Sequence, residues 1–267
     1  ININGSPFHS GKLMQRQEML SGRARENNCA IVYVNQVGGQ DELVFDGSSM
    51  VFDAAGKMLA RAPQFETGLT VIELDLANTT NTQTTIAPIS SRYEEMYGAL
   101  VLGTRDYVRK NKFTDVVIGL SGGIDSSIVA ALAVEALGAE HVHGVAMPSR
   151  YSSDGSKTDA YALADALGID CQTISIEPVF EAYLALLAPS FAGREADLTE
   201  ENLQSRCRGQ ILMALSNKFG WMVLTTGNKS ELAVGYFTIY GDSVGGYAVI
   251  KDLLKTDVFG LSRYVNE

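Results

Sequence analysis

The sequence predicts an α/β protein whose larger part is a doubly wound parallel sheet, preceded by a smaller β-rich section with one helix. Short β-branched runs alternate with helical patterns over residues 90–267, as strands joined by crossover helices do. One strand–helix pair is joined by Gly119-Leu120-Ser121-Gly122-Gly123-Ile124-Asp125-Ser126, a tight loop of small residues. Residues 77–89 open with Ala77-Asn78-Thr79-Thr80-Asn81-Thr82-Gln83-Thr84-Thr85 and lead into Pro88. They have neither period and read as a linker. The expected organisation is therefore 1–76, a linker at 77–89, and 90–267.

The 267 residues are 46% hydrophobic and 19% charged, enough apolar material for two cores. A formal net charge of −10 weighs against a nucleic-acid partner. No apolar run approaches membrane-spanning length and no signal peptide is visible, so no membrane partner is expected. Cys29, Cys171 and Cys207 are widely spaced, which suggests reduced thiols and a cytoplasmic protein. The chain opens at Ile1 within an apolar–polar alternation and stops at Glu267 directly after a helical pattern. A longer polypeptide is expected around it.

In the first section Lys12 to Glu26 is amphipathic at helical spacing, and 30–34, 43–45, 49–52 and 69–74 read as strands. Asp53 to Gly56 is a turn. Cys29, at a strand edge with no nearby His, is expected to pack as a buried thiol, and His9 to sit on a surface loop. Asn78-Thr79-Thr80 formally fits a glycosylation acceptor, a reading with little weight in a cytoplasmic protein.

In the second section Ser91–Lys110 is a helix with an apolar face. Phe113-Thr114-Asp115-Val116-Val117-Ile118 is a strand, and Ser126–Leu137 a helix. His141–Met147, Cys171–Ile176 and Trp221–Thr225 are further strands, with a helix at Asp154–Leu167. His141 and His143 share a strand face, which raises metal binding only weakly without a third ligand. Cys171 and Cys207 are expected to pack. Thr199 reads as the cap of a helix whose first turn is acidic, with Asn202 and Arg206 on one face. Arg206 and Arg208 point in different directions, so that one faces a ligand while the other pairs with a carboxylate.

The loop at 119–126 has the makings of a phosphate cradle. Small residues let backbone N–H groups close on an anion, and the following helix adds its dipole. No Gly-Lys-Ser/Thr follows, so it is not a Walker A loop. Asp125 lies one residue inside the end of the loop. In its strand–loop–helix setting the segment resembles the SGGxDS loop of the ATP pyrophosphatases, whose fold is adenine nucleotide alpha hydrolase-like.

Four further segments carry a more specific resemblance: Thr199–Arg208 (TEENLQSRCR), Leu212–Lys218, Leu224–Glu231 (LTTGNKSE), and Tyr240-Gly241-Asp242 through Lys251-Asp252. Together they resemble the synthetase domain of the glutamine-dependent NAD⁺ synthetase family. In the first section Asn4–Lys12 and Tyr33–Ser49 resemble the later half of a nitrilase-like glutaminase domain of α-β-β-α architecture.

These resemblances imply a C–N ligase that converts deamido-NAD⁺ to NAD⁺ with ATP, through an adenylate, using ammonia drawn from glutamine. They imply that Gly119, Leu120, Ser121, Gly122, Gly123, Ile124, Asp125, Ser126, Thr226 and Lys255 bind ATP. Asn202, Arg206 and Glu231 would contact deamido-NAD⁺, and Asp125 and Glu231 would hold Mg²⁺. Ser6 and Lys12 would contact glutamine, with the family's nucleophilic Cys expected upstream. A homo-oligomer is implied by the family alone. Leu254 stands where the family has Pro, and Ser243-Val244 replaces a Met-bearing turn. The rival readings are another glutamine-fed ATP pyrophosphatase, or an amidase whose second domain only binds nucleotide.

Overall fold

The computed structural model describes residues 1–75 and 85–267. The Asn78-Thr79-Thr80 acceptor and most of the expected linker lie outside them. The chain forms two compact units, Ile1–Asp106 and Tyr107–Glu267.

The first unit contains β1 (Asn2–Asn4), α1 (Lys12–Asn27), β2 (Ile31–Asn35), β3 (Val37–Gln40), β4 (Leu43–Asp46), β5 (Met50–Phe52), β6 (Met58–Arg61) and β7 (Thr85–Ile86). Helix α2 (Arg92–Lys110) begins there, and the division between units falls inside it. The main sheet runs β1-β2-β5-β6-β7, while β3 and β4 form a separate antiparallel hairpin. Leu13, Leu20 and Ala24 of α1 pack on Tyr33, Met50 and Phe52, since positions at helical spacing meet alternate residues of the strands. A bidentate pair of Arg16 with Asp46, at 2.9 and 3.1 Å, is fully buried beside this core. Burying both charges is tolerable because the fork matches the carboxylate and Asn35 adds a donor.

Two expectations change here. Residues 69–74 form no strand: Leu69 is 91% and Val71 82% exposed, and among the described residues no strand pairs with them. Cys29 is exposed, not buried. Asn28 closes α1 in the left-handed conformation at φ 47°, the N–H of Cys29 returns to Ala24 O at 3.2 Å, and the Cys29 side chain is left outside the core.

The second unit holds β8 (Val116–Leu120), α3 (Ile124–Leu137), β9 (Val142–Ala146), α4 (Asp154–Leu167), β10 (Asp170–Thr173), α5 (Glu177–Leu187), α6 (Leu198–Phe219), β11 (Met222–Thr225), α7 (Lys229–Val234), β12 (Tyr247–Ala248) and α8 (Lys255–Asn266). Every strand pair is parallel, in the order β10-β9-β8-β11-β12. Val116, Val117 and Ile118 of the central strand are fully buried, as a strand covered on both faces must be. Helix α3 is apolar on most of its circumference and correspondingly buried. The sheet order reverses between β8 and β11, the switch point at which such sheets bind ligands beyond the strands' carboxyl ends.

Helix α6 starts one residue earlier than Thr199. Its cap is Asp197, which accepts from the Thr199 N–H at 2.8 Å while Glu200 accepts from the Asp197 N–H at 2.8 Å. At the opposite end of the sheet from the switch point, Asp115 lies 3.3 Å from both His141 Nδ1 and His143 Nε2, and Asp170 lies 2.7 Å from His143 Nδ1. Among the described residues no cluster of three metal-ligating side chains forms, there or elsewhere. Cys207 is buried and Cys171 half-buried, and burial pushes both thiols up. Among the described residues no helix is long and apolar enough to cross a membrane.

Candidate active site

The ends of β8 and β11 open into a cavity of about 530 Å³. Its walls come from Gly119–Ser121, Ala146–Pro148, the serines of the 151–156 segment, one face of α6, and Leu224–Thr226. The 119–126 loop is folded tightly by its own side chains. Ser126 Oγ donates to Gly123 O at 2.9 Å and lies 3.2 Å from Ser121 Oγ, while the Gly123 N–H donates to Ser121 Oγ at 3.2 Å. Gly122 has φ +75°, and a Cβ there would lie 2.5 Å from Ser156 O, so only glycine fits against the start of α4. Helix α3 begins directly after the loop, so the positive end of its dipole lies beside it.

Asp125 stands in that first turn. One carboxylate oxygen accepts from Asn228 Nδ2 at 3.0 Å, and the other pairs with the Lys255 ammonium. Asn228 is fully buried and caps α7 in a complete capping box. Its Oδ1 accepts from the Glu231 N–H at 3.0 Å and its own N–H donates to Glu231 Oε2 at 3.1 Å. One residue thus holds both carboxylates, Asp125 through its side-chain amide and Glu231 through its backbone N–H, one on each side of the switch point. Asn228 was not singled out from the sequence, although Asn followed three residues later by Glu is a helix-start signal. Lys255 begins α8 directly after Leu254, whose φ of −66° is the angle a proline would fix. The substitution at 254 therefore leaves the path to Lys255 intact.

The residues that would hold a Mg²⁺ ion here are Asp125 and Glu231. Two carboxylates held by a shared neighbour are too few for an all-protein cage. They fit the way Mg²⁺ is bound, through one or two carboxylates with substrate phosphates and water supplying the rest.

Thr226 lines the cavity. Asn202 and Arg206 of α6 turn toward the segment after α7: Asn202 Oδ1 accepts from Thr238 Oγ1 at 2.7 Å, and Arg206 Nε donates to Ile239 O at 3.2 Å. Asp242 is fixed there too, accepting from Thr238 N at 2.7 Å and Ser205 Oγ at 3.0 Å. A Cβ at Gly209 would meet Tyr240 O at 2.8 Å, so this turn packs directly on the α6 backbone. Arg206 is outside the cavity lining, whereas Arg208 is part of it. In the first unit the Ser6 N–H donates to Asn35 Oδ1 at 2.8 Å and Ser6 Oγ accepts from Arg16 at 3.4 Å. Lys12 opens α1.

This geometry defines a doubly wound α/β protein with a Gly-Ser loop and two linked carboxylates at its switch point. The sequence model of NAD synthase matches residues 96–267, and that of carbon–nitrogen hydrolase matches residues 1–84. The glutamine-dependent NAD(+) synthetase of Thermotoga maritima is 50% identical over 297 residues, covering 99% of this chain and 52% of that relative. That of Synechocystis sp. is also 50% identical, covering 100% of this chain and 48% of the relative. The solved structure of the glutamine-dependent NAD+ synthetase of Acinetobacter baumannii, a complex with ADP, superposes with a TM-score of 0.94 at 46% identity. The match covers 99% of this chain and 51% of that one. The NH3-dependent NAD synthetase of Campylobacter jejuni gives 0.61 at 30% identity, covering 67% of this chain and 75% of that one. The chain belongs to the NAD synthase family, with a carbon–nitrogen hydrolase section before the synthase section. It spans about half the length of the glutamine-dependent relatives it matches.

Proposed function

We propose that the intact protein amidates deamido-NAD⁺ to NAD⁺, consuming ATP and ammonia drawn from glutamine. The observation that carries this reading is the pair Asp125 and Glu231 held by buried Asn228 beside the Gly-Ser loop. That arrangement suits a pyrophosphate leaving group better than a simple nucleotide pocket needs.

In this reading the β,γ-phosphates lie against the N–H groups from Gly122 to Ser126, with Gly119, Leu120 and Ser121 forming the strand side. Thr226 contacts ATP. Lys255, paired with Asp125 in this structure, would contact the phosphates. Asn202, Arg206 and Glu231 contact deamido-NAD⁺. A nicotinate carboxylate oxygen bonds to the α-phosphorus, and the bond from that phosphorus to pyrophosphate breaks, its electron pair leaving with pyrophosphate. The nitrogen of ammonia then bonds to the carboxyl carbon, the carbon–oxygen bond to AMP breaks, and the surplus proton passes to solvent. Asp125 and Glu231 would hold Mg²⁺, whose charge would neutralise the leaving pyrophosphate when bound. The loop's fixed dipoles act on the same charge without reorganising. Ser6 and Lys12 serve the glutamine side, residues 77–89 join the two sections, and the protein acts as a cytoplasmic homo-oligomer.

The test is pyrophosphate release by the intact protein with ATP, Mg²⁺ and ammonium, comparing deamido-NAD⁺, xanthosine monophosphate and aspartate as acceptors. Release with deamido-NAD⁺ alone, yielding NAD⁺ and AMP, is the expected result; release with another acceptor overturns the substrate. Asp125→Asn keeps the Asn228 contact but removes the charge. Turnover is expected to fall about 100-fold or more with the fold retained.

A further inference from the structure

Helix α6 carries two guanidinium groups two residues apart, and they do different things. Arg206 reaches outward to the turn after α7. Arg208 turns inward: its Nε donates to Met147 O at 3.1 Å, at the carboxyl end of β9, and the group lines the cavity with Ser121 and Thr226. No carboxylate among the described residues pairs with it. Two nearby cations already have carboxylate partners, Lys255 on Asp125 and Arg150 on Glu177 and Glu181. The ion pair expected for one of the two arginines is not formed: among the described residues neither Arg206 nor Arg208 pairs with a carboxylate.

Burial presses against the Arg208 charge and lowers its pKa, yet a guanidinium stays protonated. A partly desolvated cation without a counter-charge is costly, and an anion entering the cavity removes that cost. The β,γ-phosphates have their own cradle in the 119–126 loop. In the synthetase reading the loop takes the β,γ-phosphates and leaves the α-phosphoryl group to be held from another wall of the cavity.

We propose that Arg208 holds the α-phosphoryl group of the nucleotide, with its Nε anchored on Met147 O and its terminal nitrogens donating to the two non-bridging oxygens. This rests on the synthetase reading above. The forked donor matches two oxygens on one phosphorus. As the carboxylate oxygen bonds to that phosphorus and the bond to pyrophosphate breaks, the same contact follows the charge onto the adenylate and finally onto AMP. No proton is transferred by Arg208. Met147 O fixes its direction, which makes the carbonyl at the end of β9 part of the phosphate site.

Equilibrium binding of ATP, AMP and adenosine to the intact protein and to its Arg208→Gln and Arg208→Lys variants tests the assignment. AMP is expected to bind more tightly than adenosine to the unaltered protein. Arg208→Gln should weaken AMP about 10- to 100-fold, the span of a lost charge-assisted contact, and leave adenosine unchanged. Equal weakening of both ligands would make Arg208 a wall of the nucleoside pocket and overturn the proposal, as would unchanged AMP binding. Should the glutamine variant not fold, the lysine variant decides. It keeps the charge but not the fork, so AMP weakens several-fold while adenosine does not; unchanged AMP binding again overturns the assignment. If the unaltered protein binds no ATP, it is the synthetase reading that fails. ATP binding with normal AMP affinity in the variants refutes Arg208 alone.

Discussion

Tyr247 stacks on Tyr107 with ring centroids 4.5 Å apart and planes at 25°. Burial, then the neighbouring Tyr107 and Asp252, push its phenol from 10.0 up to about 12. An acid whose folded pKa is raised stabilises the fold below its unfolded pKa and loses that contribution as pH rises through the folded value. The window is therefore from about pH 10 to about pH 12. In an alkaline absorbance titration of the native chain, Tyr247 is expected to ionise late. Tyr247→Phe should delete that late phase, and a single shared titration of all the native tyrosines would sink the assignment. Sequence reading reached single residues unevenly. The roles of Asp125 and Glu231 are implied by the family resemblance of the strings they stand in. Asn228, which holds them both, looked like one more polar residue in the same string, and Arg208 was indistinguishable from Arg206 until the roll of α6 was fixed.

The loop between β8 and α3 was the most legible element, because glycine at 122 has a reason visible in the chain: a tight strand-to-helix turn. What the sequence left out is the neighbour, the Ser156 carbonyl that a Cβ at 122 would strike. Gly122→Ala combines a left-handed backbone with that clash and should cost about 1–3 kcal/mol of stability. It should also weaken ATP binding more than a change on the far face of α3. Thermal melts alongside nucleotide titration check this, and an alanine variant with native stability and affinity would contradict it. The strand expected at 69–74 shows the other side. Alternation of apolar and polar residues specifies a face but not a partner strand. Leu69 and Val71, without a ladder, stay in solvent. The run expected from Phe113 enters its ladder only at Val116, because the Phe113 N–H is used to close α2 on Val108 O.

At the scale of the molecule, the division into a β-rich part and a parallel α/β part was legible because the hydrophobic period changes along the chain. Strand order was not, since adjacency in a parallel sheet is settled by which crossover packs on which face and leaves no local trace. The order β10-β9-β8-β11-β12 brings Ser121 and Thr226, about a hundred residues apart, to the same cavity.

That order also fixes what lies at the sheet's other end. Trp221, the single tryptophan of the chain, precedes β11 there. It stacks on His143 with centroids 3.8 Å apart and on Phe219 at 4.6 Å. Its emission is a built-in optical readout of the foot of the sheet, separated from the cavity by the full length of β11. Denaturant should brighten and red-shift it as the imidazole leaves the indole face, whereas saturating nucleotide should leave it unchanged in the same chain. A nucleotide-dependent emission shift would mean that filling one end of β11 strains the other.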